Sequence, residues 1–168
     1  NKILLFISIF ILISCKKSFD SINVQIDSDI IYYTSFETQN ALIGWDGYGT
    51  FKLRDDAPAN GGNFSLYVSG DCYAPHAYYV MNRLEEETYL QLRFWGKSLN
   101  GRGSVVLGGE VYALHQSIAI EDSNWRYYET SDTIKCPANV APGIHISAGG
   151  FWPNDSILVD KIEVVKIN

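Results

Sequence analysis

Residues Thr88–Lys97, TYLQLRFWGK, alternate between two kinds of side chain with a period of two. That period is the signature of a β-strand with one buried face. One face of this strand is apolar and is expected in a core: Leu90, Leu92 and Phe94. The other face combines two large aromatic rings with an amide and a guanidinium: Tyr89, Gln91, Arg93 and Trp95. What this second face contacts is the main question that the sequence raises.

The chain after residue 29 divides into short segments of strand composition, separated by turns rich in Gly, Asn, Asp and Pro. No long segment has the spacing of an amphipathic helix. Many short strands at regular spacing indicate an all-β sandwich or barrel. The predicted strands are Ile31–Glu37, Tyr48–Leu53, Phe64–Ser69, Ala77–Met81, Thr88–Lys97, Ser104–Leu107, Val111–Ile120, Trp125–Ile134, Gly143–Ala148 and Ile157–Ile167.

The first residues have the pattern of a secretory signal peptide. Lys2 precedes an apolar run over residues 3–13, which is shorter than the roughly 20 residues of a transmembrane helix. The end of this run, LISC, resembles the lipobox of bacterial lipoproteins. The resemblance implies that residues 1–14 are removed, that Cys15 is acylated, and that the protein is lipid-anchored in the bacterial cell envelope, at the outer membrane or cell surface. An ordinary signal peptide with an incidental cysteine is the alternative.

Residues 15–29 are polar and are interpreted as a tether, and residues 30–168 as one β-sandwich domain. One of the 13 Lys and Arg residues lies in the signal peptide, so 12 remain against 19 Asp and Glu residues. Binding of nucleic acid requires a basic face, so nucleic acid is not expected as a partner. Contact with a membrane is expected only through the lipid anchor.

Cys72 and Cys136 are the two cysteines that follow the anchor. Because an exported protein meets an oxidising compartment, they are predicted to form a disulfide. A bridge that closes so long a loop is worth about 3–5 kcal/mol in the chain-entropy model. Two separate thiols are the alternative.

Five motifs and the alternating strand follow one another in a distinctive order. The motifs are TSFET (34–38), GWDGYG (44–49), GGNFSLYVSG (61–70), NWRYYETSDTI (124–134) and NDSILVDKIEVVKI (154–167), with the alternating strand between the third and the fourth. This order resembles the galactose-binding-like jelly rolls, a family that includes many carbohydrate-binding modules. The resemblance covers residues 30–167 and implies a two-sheet antiparallel β-sandwich.

The resemblance also implies a metal site. Members of the family often hold a structural Ca²⁺ between a Glu of the first strand and an Asp of the last strand, which in this chain are Glu37 and Asp160. The turn Asp55–Asn63 is expected to supply further oxygen ligands. Lys161 stands where the family often has another Asp, which removes one possible ligand.

The strand period supports the same site independently. It predicts that Asp160 lies on an apolar side of the last strand, together with Leu158, Ile162 and Val164. A carboxylate in such surroundings is costly unless it is paired or bound to a metal. The alternative is that Asp160 caps backbone N–H groups or pairs with a Lys or Arg.

In a jelly roll the second face of Thr88–Lys97 lies on the outside of a sheet. Family members bind sugars on such faces by stacking them on aromatic rings, while polar side chains bond to the hydroxyls. The alternatives are that a loop covers Trp95 and that Arg93 pairs with an acidic neighbour for packing alone. Trp125 is expected in the core. The predicted carbohydrate-binding residues are Tyr89, Gln91, Arg93 and Trp95, with His145 and Tyr127 or Tyr128 as neighbours.

Catalytic motifs are not evident in the sequence. The three histidines fit neither a zinc-protease motif nor a nucleophile elbow, and no local pair of carboxylates suggests a glycoside hydrolase. The expected function is therefore non-catalytic glycan binding by a lipoprotein. One alternative is a structural or adhesive lipoprotein that docks another protein through a flatter apolar patch. A glycan-degrading enzyme is the remaining alternative.

Overall fold

The computed structural model describes residues 29–70, 77–109, 116–149 and 154–167. These ranges contain two antiparallel sheets and one short 3₁₀ turn, Gln39–Leu42. The predicted two-sheet antiparallel β-sandwich is therefore confirmed. No helix in the described ranges has the length and hydrophobicity that crossing a bilayer requires.

The strands are numbered in chain order. They are β1 (Ile30–Thr34), β2 (Trp45–Asp46), β3 (Thr50–Arg54), β4 (Ser65–Ser69), β5 (Ala77–Val80), β6 (Thr88–Asn100), β7 (Gly103–Gly109), β8 (Gln116–Ile120), β9 (Arg126–Glu129), β10 (Ile134–Cys136), β11 (Pro142–Ala148) and β12 (Ser156–Ile167).

The first sheet has seven strands, with the long strands β6 and β12 paired at its centre. On its other side β12 pairs with β4 along its first half and with β1 along its second half. The strand β3 lies outside β4 and forms one edge. At the opposite edge, β9 and β10 pair with different parts of β6.

The second sheet has five strands in the order β2-β5-β11-β7-β8. Its inward side chains meet those of the first sheet in one hydrophobic core. Phe36, Phe94, Leu107 and Ile144 are among the side chains that are fully buried there. Each sheet therefore has one face in the core and one outer face.

Several strand ends differ from the predicted ones by one to three residues, β2 was not predicted, and the predicted strand Val111–Ile120 is described only from Gln116 onward. Two further differences have a structural cause. The first strand ends at Thr34, three residues before Glu37, because Phe36 has a φ of 55°, outside the β region. The predicted strand Trp125–Ile134 is divided into β9 and β10. Between them Thr130 bonds to Leu92 through its backbone N–H and its Oγ1 atom, so both short strands remain on β6.

A bulge in β12 reverses which side chains face the core. Asp160 pairs with Trp95, but Arg93 pairs with Glu163, so β12 has one extra residue between them. Lys161 has a φ of 46° at this point. Asp160 consequently faces outward, like Leu158, while Ile162 and Val164 belong to the core. The prediction that Asp160 shares a side with Ile162 and Val164 was therefore wrong, since a strict period of two cannot anticipate a bulge.

Candidate functional site

The outer face of the seven-stranded sheet carries a group of side chains that we call the aromatic face: Tyr33, Tyr89, Gln91, Arg93, Trp95, Tyr127, Glu129 and Glu163. Their common orientation follows from the register, because directly paired residues point to the same side of a sheet. Tyr33 pairs with Glu163, and Arg93 pairs with both Glu163 and Glu129. Tyr33, Tyr89 and Tyr127 are 51%, 46% and 50% exposed.

Polar side chains form a bonded row along the middle of the aromatic face. Arg93 donates from Nε to Glu129 Oε1 at 2.9 Å and from an Nη atom to Gln91 Oε1 at 2.9 Å. Gln91 in turn donates to the backbone oxygen of Thr130 at 3.3 Å. Arg93 therefore has the acidic partner that was one alternative from the sequence. The same bonds hold the guanidinium in one orientation and leave some of its N–H groups free.

Trp95 lies at one end of this row and is half-buried. Its ring meets that of Tyr127 edge-on, with centroids 5.9 Å apart, a geometry that aromatic quadrupoles favour. Partial burial, followed by the charge of Glu129, raises the pKa of Tyr127, so its hydroxyl stays protonated at neutral pH.

Two predicted neighbours lie elsewhere. Tyr128 pairs with Phe94 and stacks on its ring at 5.2 Å, so it packs against the core. His145 lies in β11 of the five-stranded sheet, on the opposite outer face of the sandwich from Trp95. Neither residue is part of the aromatic face. Trp125, expected in the core, is half-exposed, and its Nε1 atom donates to Asp56 at 2.9 Å.

Three members of the aromatic face were missed in the sequence. Glu129 follows Tyr127 by two residues, so alternation within β9 would have identified it once Tyr127 was placed outward. Tyr33 and Glu163 join the face because β1 pairs with β12. That pairing joins the two ends of the domain and leaves no local pattern in the sequence.

Glu37 and Asp160, the predicted metal ligands, lie on the two sides of the segment that joins β3 to β4. The Glu37 carboxylate accepts bonds from the backbone N–H groups of Asn63 and Phe64 at 3.0 and 3.3 Å. Asp160 is fully buried and accepts from the N–H of Lys161 at 2.7 Å through Oδ1. Its Oδ2 atom is the one buried side-chain oxygen or nitrogen without a partner in the described ranges.

Glycines bring this segment close to both carboxylates. A Cβ at Gly61 would collide with Asp160 Oδ2, and a Cβ at Gly62 would collide with the carboxylate of Glu37. Burial, and then the charge of Glu37, raise the pKa of Asp160 from 3.8 to about 7. Asp160 thus has one oxygen without a hydrogen-bond partner among the described residues and lies near the carboxylate of Glu37, and a cation between the two carboxylates would satisfy that oxygen. Within the described ranges no group of three or more His, Cys, Asp or Glu residues is placed to hold a metal. Further ligands to a cation here would have to be other oxygen atoms, such as backbone carbonyls, Ser or Asn side chains, or water.

The segment is also tied to the outer face of β6. Asp56 accepts from Lys97 Nζ at 2.8 Å and from Trp125 Nε1 at 2.9 Å. Burial alone would raise the pKa of Asp56, but these two bonds, together with the charges of Lys97 and Arg54, outweigh it and lower the pKa. Glu37 and Asp160, the predicted metal ligands, therefore lie on the same side of the sandwich as the aromatic face.

The outer face of the five-stranded sheet carries a second, smaller set that we call the histidine face: Asp46, Tyr78 and His145. The rings of Tyr78 and His145 stack with centroids 6.1 Å apart. Tyr78 donates its hydroxyl to Asp46 Oδ2 at 2.9 Å, and this bond is the main cause of its raised pKa. Burial lowers the pKa of His145, so its imidazole is neutral at neutral pH.

Cys136 is a free and buried thiol in β10. Its Sγ atom lies 3.8 and 3.9 Å from the backbone oxygens of Pro137 and Val140, and burial raises its pKa. Within the described ranges Cys136 is therefore not bridged, and its pairing with Cys72 stays a prediction. Cys72 itself and the predicted lipidation site Cys15 lie outside the described residues.

No protein-family model and no curated protein matches this sequence. Solved structures do match. The C-terminal family 22 carbohydrate-binding module of Clostridium thermocellum Xyn10B is 13% identical, with a TM-score of 0.61 over 82% of this chain and 93% of the module. The xylan-binding CBM22-1 domain of Paenibacillus barcinonensis Xyn10C is 14% identical, with a TM-score of 0.59 over 83% and 96%.

A third match is TmCBM61, solved with β-1,4-galactotriose, which is 14% identical with a TM-score of 0.52 over 77% of this chain and 97% of that one. At sequence identities of 13–14%, the structural similarity to these three domains shows a shared fold. The chain therefore has the jelly-roll sandwich that carbohydrate-binding modules have, as the order of its motifs predicted.

Proposed function

We propose that this domain binds neutral glycans without catalysis, and that the aromatic face is the binding site. The observation that carries the proposal is the row Gln91–Arg93–Glu129, which runs between half-exposed tyrosines on an outer sheet face. Aromatic rings offer flat surfaces to the C–H faces of sugars, and the polar row offers donors and acceptors to the hydroxyls. The likeness to carbohydrate-binding modules supports the same function.

The bonds within the row favour binding because they fix the side chains before a ligand arrives. Fewer rotamers are then lost on association, which lowers the entropic cost. The exposed rings nevertheless offer only a modest contact area. We therefore expect dissociation constants on the order of micromolar to millimolar.

The test is a panel of neutral oligosaccharides, including xylan fragments and β-1,4-galactotriose, measured by calorimetry with the purified protein. Tyr127→Ala and Tyr89→Ala should each weaken binding about tenfold or more, with little change in melting temperature because both side chains are half-exposed. Tyr48→Ala is the matched control, since Tyr48 is a 70% exposed tyrosine close to Tyr78 on the other side of the sandwich.

Two results would contradict this assignment. Loss of binding in Tyr48→Ala and Tyr78→Ala, with Tyr127→Ala unaffected, would move the site to the histidine face, where a stacked ring pair beside a carboxylate offers similar chemistry. Absence of binding to every oligosaccharide of the panel would reject the binding of neutral glycans by the aromatic face. It would favour the alternative of a structural or adhesive protein that docks another protein.

We further propose that Glu37 and Asp160 bind a structural Ca²⁺, with backbone oxygens of Asp55–Asn63 completing the shell. Calcium prefers six to eight oxygen ligands, and the unpartnered Oδ2 of Asp160 supports a cation at this position. The cation would neutralise two carboxylates that otherwise repel each other. These residues would hold the segment in place beside Lys97 and Trp125.

For the N-terminus we propose acylation at Cys15, with residues 15–29 as a tether that holds the domain at the bacterial cell envelope. The motif LISC supports this proposal. Labelled palmitate should be incorporated into the full-length protein expressed in a bacterial host, and Cys15→Ser should remove the label. Label retained by Cys15→Ser would reject acylation at this residue.

A further inference from the structure

A shallow pocket lies at the β3 end of the seven-stranded sheet, apart from the aromatic face. It is lined by Lys52, Leu53, Arg54, Asp55, Phe64 and Tyr67. Lys52 pairs with Tyr67 across β3 and β4, so both point to the outer side of the sheet. The Lys52 Nζ atom lies 5.7 Å from the centre of the Tyr67 ring, and the Arg54 guanidinium carbon lies 5.6 Å from it.

Neither cation of this pocket forms the kind of ion pair that several other cations of the described residues form. Arg93, Lys97 and Lys135 each form an ion pair with a carboxylate. In the described part of the chain, neither Lys52 nor Arg54 has a carboxylate within salt-bridge distance. The nearby charge of Asp56 is already bonded to Lys97 and Trp125, and Asp55 supplies one negative charge against two positive ones.

Protection of an edge strand does not account for this arrangement. A lysine or arginine on an edge strand such as β3 discourages pairing with another sheet, and its charge is sufficient for that purpose. Here both cations converge on one aromatic ring and line a pocket with a second ring, Phe64. The chain as a whole has a net charge of −6, so this positive spot stands against an acidic background.

We propose that this pocket binds the carboxylate of an acidic sugar, a hexuronate unit within a glycan. The Arg54 guanidinium has the fork geometry that matches a carboxylate, and Lys52 adds a point charge. Phe64 and Tyr67 supply apolar surface for the sugar ring. This proposal rests on the proposed glycan binding in one respect, namely that the carboxylate belongs to a sugar unit of a glycan.

The position of the pocket suits a glycan that also reaches the aromatic face. Tyr67 and Lys97 both pair with Leu158, on opposite sides of β12, so the pocket and the outer face of β6 are two strands apart on one side of the sandwich. Two strand spacings are about 10 Å. A glycan with neutral and acidic units would thus contact both sites.

The probe is trigalacturonate, compared with its fully methyl-esterified form, which has the same backbone without the charges. NMR titration of the labelled protein should shift the backbone amides of Lys52, Arg54 and Tyr67 with the acid. We expect the ester to bind about tenfold more weakly, since two charge-assisted contacts are lost. Raising NaCl from about 0.05 to 0.5 M should weaken binding of the acid and leave the ester unchanged.

The variants Lys52→Gln and Arg54→Gln should each weaken trigalacturonate binding about three- to tenfold. Both side chains are exposed, so the fold is retained. Arg126→Gln is the matched control, because it removes the same charge from an exposed side chain of β9 that alternates with Tyr127 and therefore points away from the aromatic face. Equal affinities for acid and ester, no shift in β3 and β4, or an equal effect of Arg126→Gln would overturn the proposal.

The same titration separates this proposal from the proposed function. If neutral glycans bind and Tyr127→Ala abolishes their binding, but trigalacturonate does not shift β3 and β4, the pocket proposal alone fails. If trigalacturonate shifts β3 and β4 and Arg54→Gln removes the effect, the pocket proposal holds even where no neutral glycan binds. In that case the aromatic face alone is rejected.

Discussion

Asp160 shows how one residue connects the fold to a ligand. Its side chain is fully buried, and its Oδ2 atom has no hydrogen-bond partner within the described residues. Burial, followed by the charge of Glu37, raises its pKa to about 7. Each pKa unit corresponds to about 1.4 kcal/mol between the two protonation states. Ionised Asp160 therefore destabilises the metal-free fold, and a bound cation would remove that effect.

The first prediction concerns pH in the presence of EDTA. The pKa of Asp160 is higher in the folded than in the unfolded state, so the folded state binds the additional proton between about pH 4 and pH 7. The free energy of unfolding should consequently fall as the pH rises through this window, by up to ~4 kcal/mol from this group. Asp160→Asn should lack this component. Urea unfolding of both proteins at about pH 4.5, 6 and 8 measures it, and parallel pH profiles would contradict it.

The second prediction concerns calcium at neutral pH. A ligand at about 100 times its dissociation constant stabilises the fold by about 2.7 kcal/mol, which corresponds to a rise in melting temperature of roughly 5–10 °C for a domain of this size. Asp160→Asn and Glu37→Gln should lose the rise. Asp132→Asn is the matched control, since Asp132 is exposed. Identical melting curves of the wild-type protein in EDTA and in excess Ca²⁺ would reject the site.

At the scale of elements, β9 places two consecutive tyrosines on opposite sides of one strand. Tyr128 stacks on Phe94, while Tyr127 is half-exposed on the aromatic face. Tyr128→Ala should lower the free energy of unfolding by roughly 2 kcal/mol, because it removes packing and a stacked ring pair. Tyr127→Ala should lower it by less than about 0.5 kcal/mol. Urea unfolding at neutral pH compares the two variants, and equal losses would show that β9 is oriented differently.

The sequence predicted the orientation of side chains correctly in β6 but only partly in β12, and the difference has a physical reason. The alternation in Thr88–Lys97 identified both faces of β6, because a strand fully paired on both sides keeps a regular period of two. The same logic failed for β12, where the bulge at Lys161 shifts the phase of the alternation. A bulge is fixed by the partner strand, so no pattern within NDSILVDKIEVVKI reveals it.

At the scale of the whole molecule, the sequence predicted the sandwich but not which strands share a sheet. His145 was correctly placed on an outer face, yet it lies in the sheet opposite to Trp95. Alternation tells whether a side chain points into or out of the core, and it carries no information on which of two sheets holds the strand. Pairing between distant strands supplies that information. The residues of the candidate site that lie on β6 were therefore predicted. Tyr33 and Glu163, which the pairing of β1 with β12 brings to the site, were missed.

The two sheets must also approach closely enough to close the core, and Gly103 at the start of β7 is one position where they do. A Cβ at Gly103 would lie 2.7 Å from side-chain carbons of Ile157 in the other sheet and 2.7 Å from the backbone oxygen of Ser147. Gly103→Val should therefore overpack the core, with a loss of about 1–3 kcal/mol and a melting temperature lower by roughly 3–10 °C.

Ser104→Val is the matched control for this last prediction, because Ser104 is the next residue of β7 and points to the outer side of the sheet. It should leave the melting temperature within about 2 °C, as a β-branched residue suits an outward strand position. Equal melting temperatures of the two variants would show that the sheets separate without cost at Gly103. Because the aromatic face lies on the outside of the sandwich, Gly103→Val should retain its glycan affinity below the melting transition. Loss of affinity in that folded variant would mean that the spacing of the sheets controls the outer face.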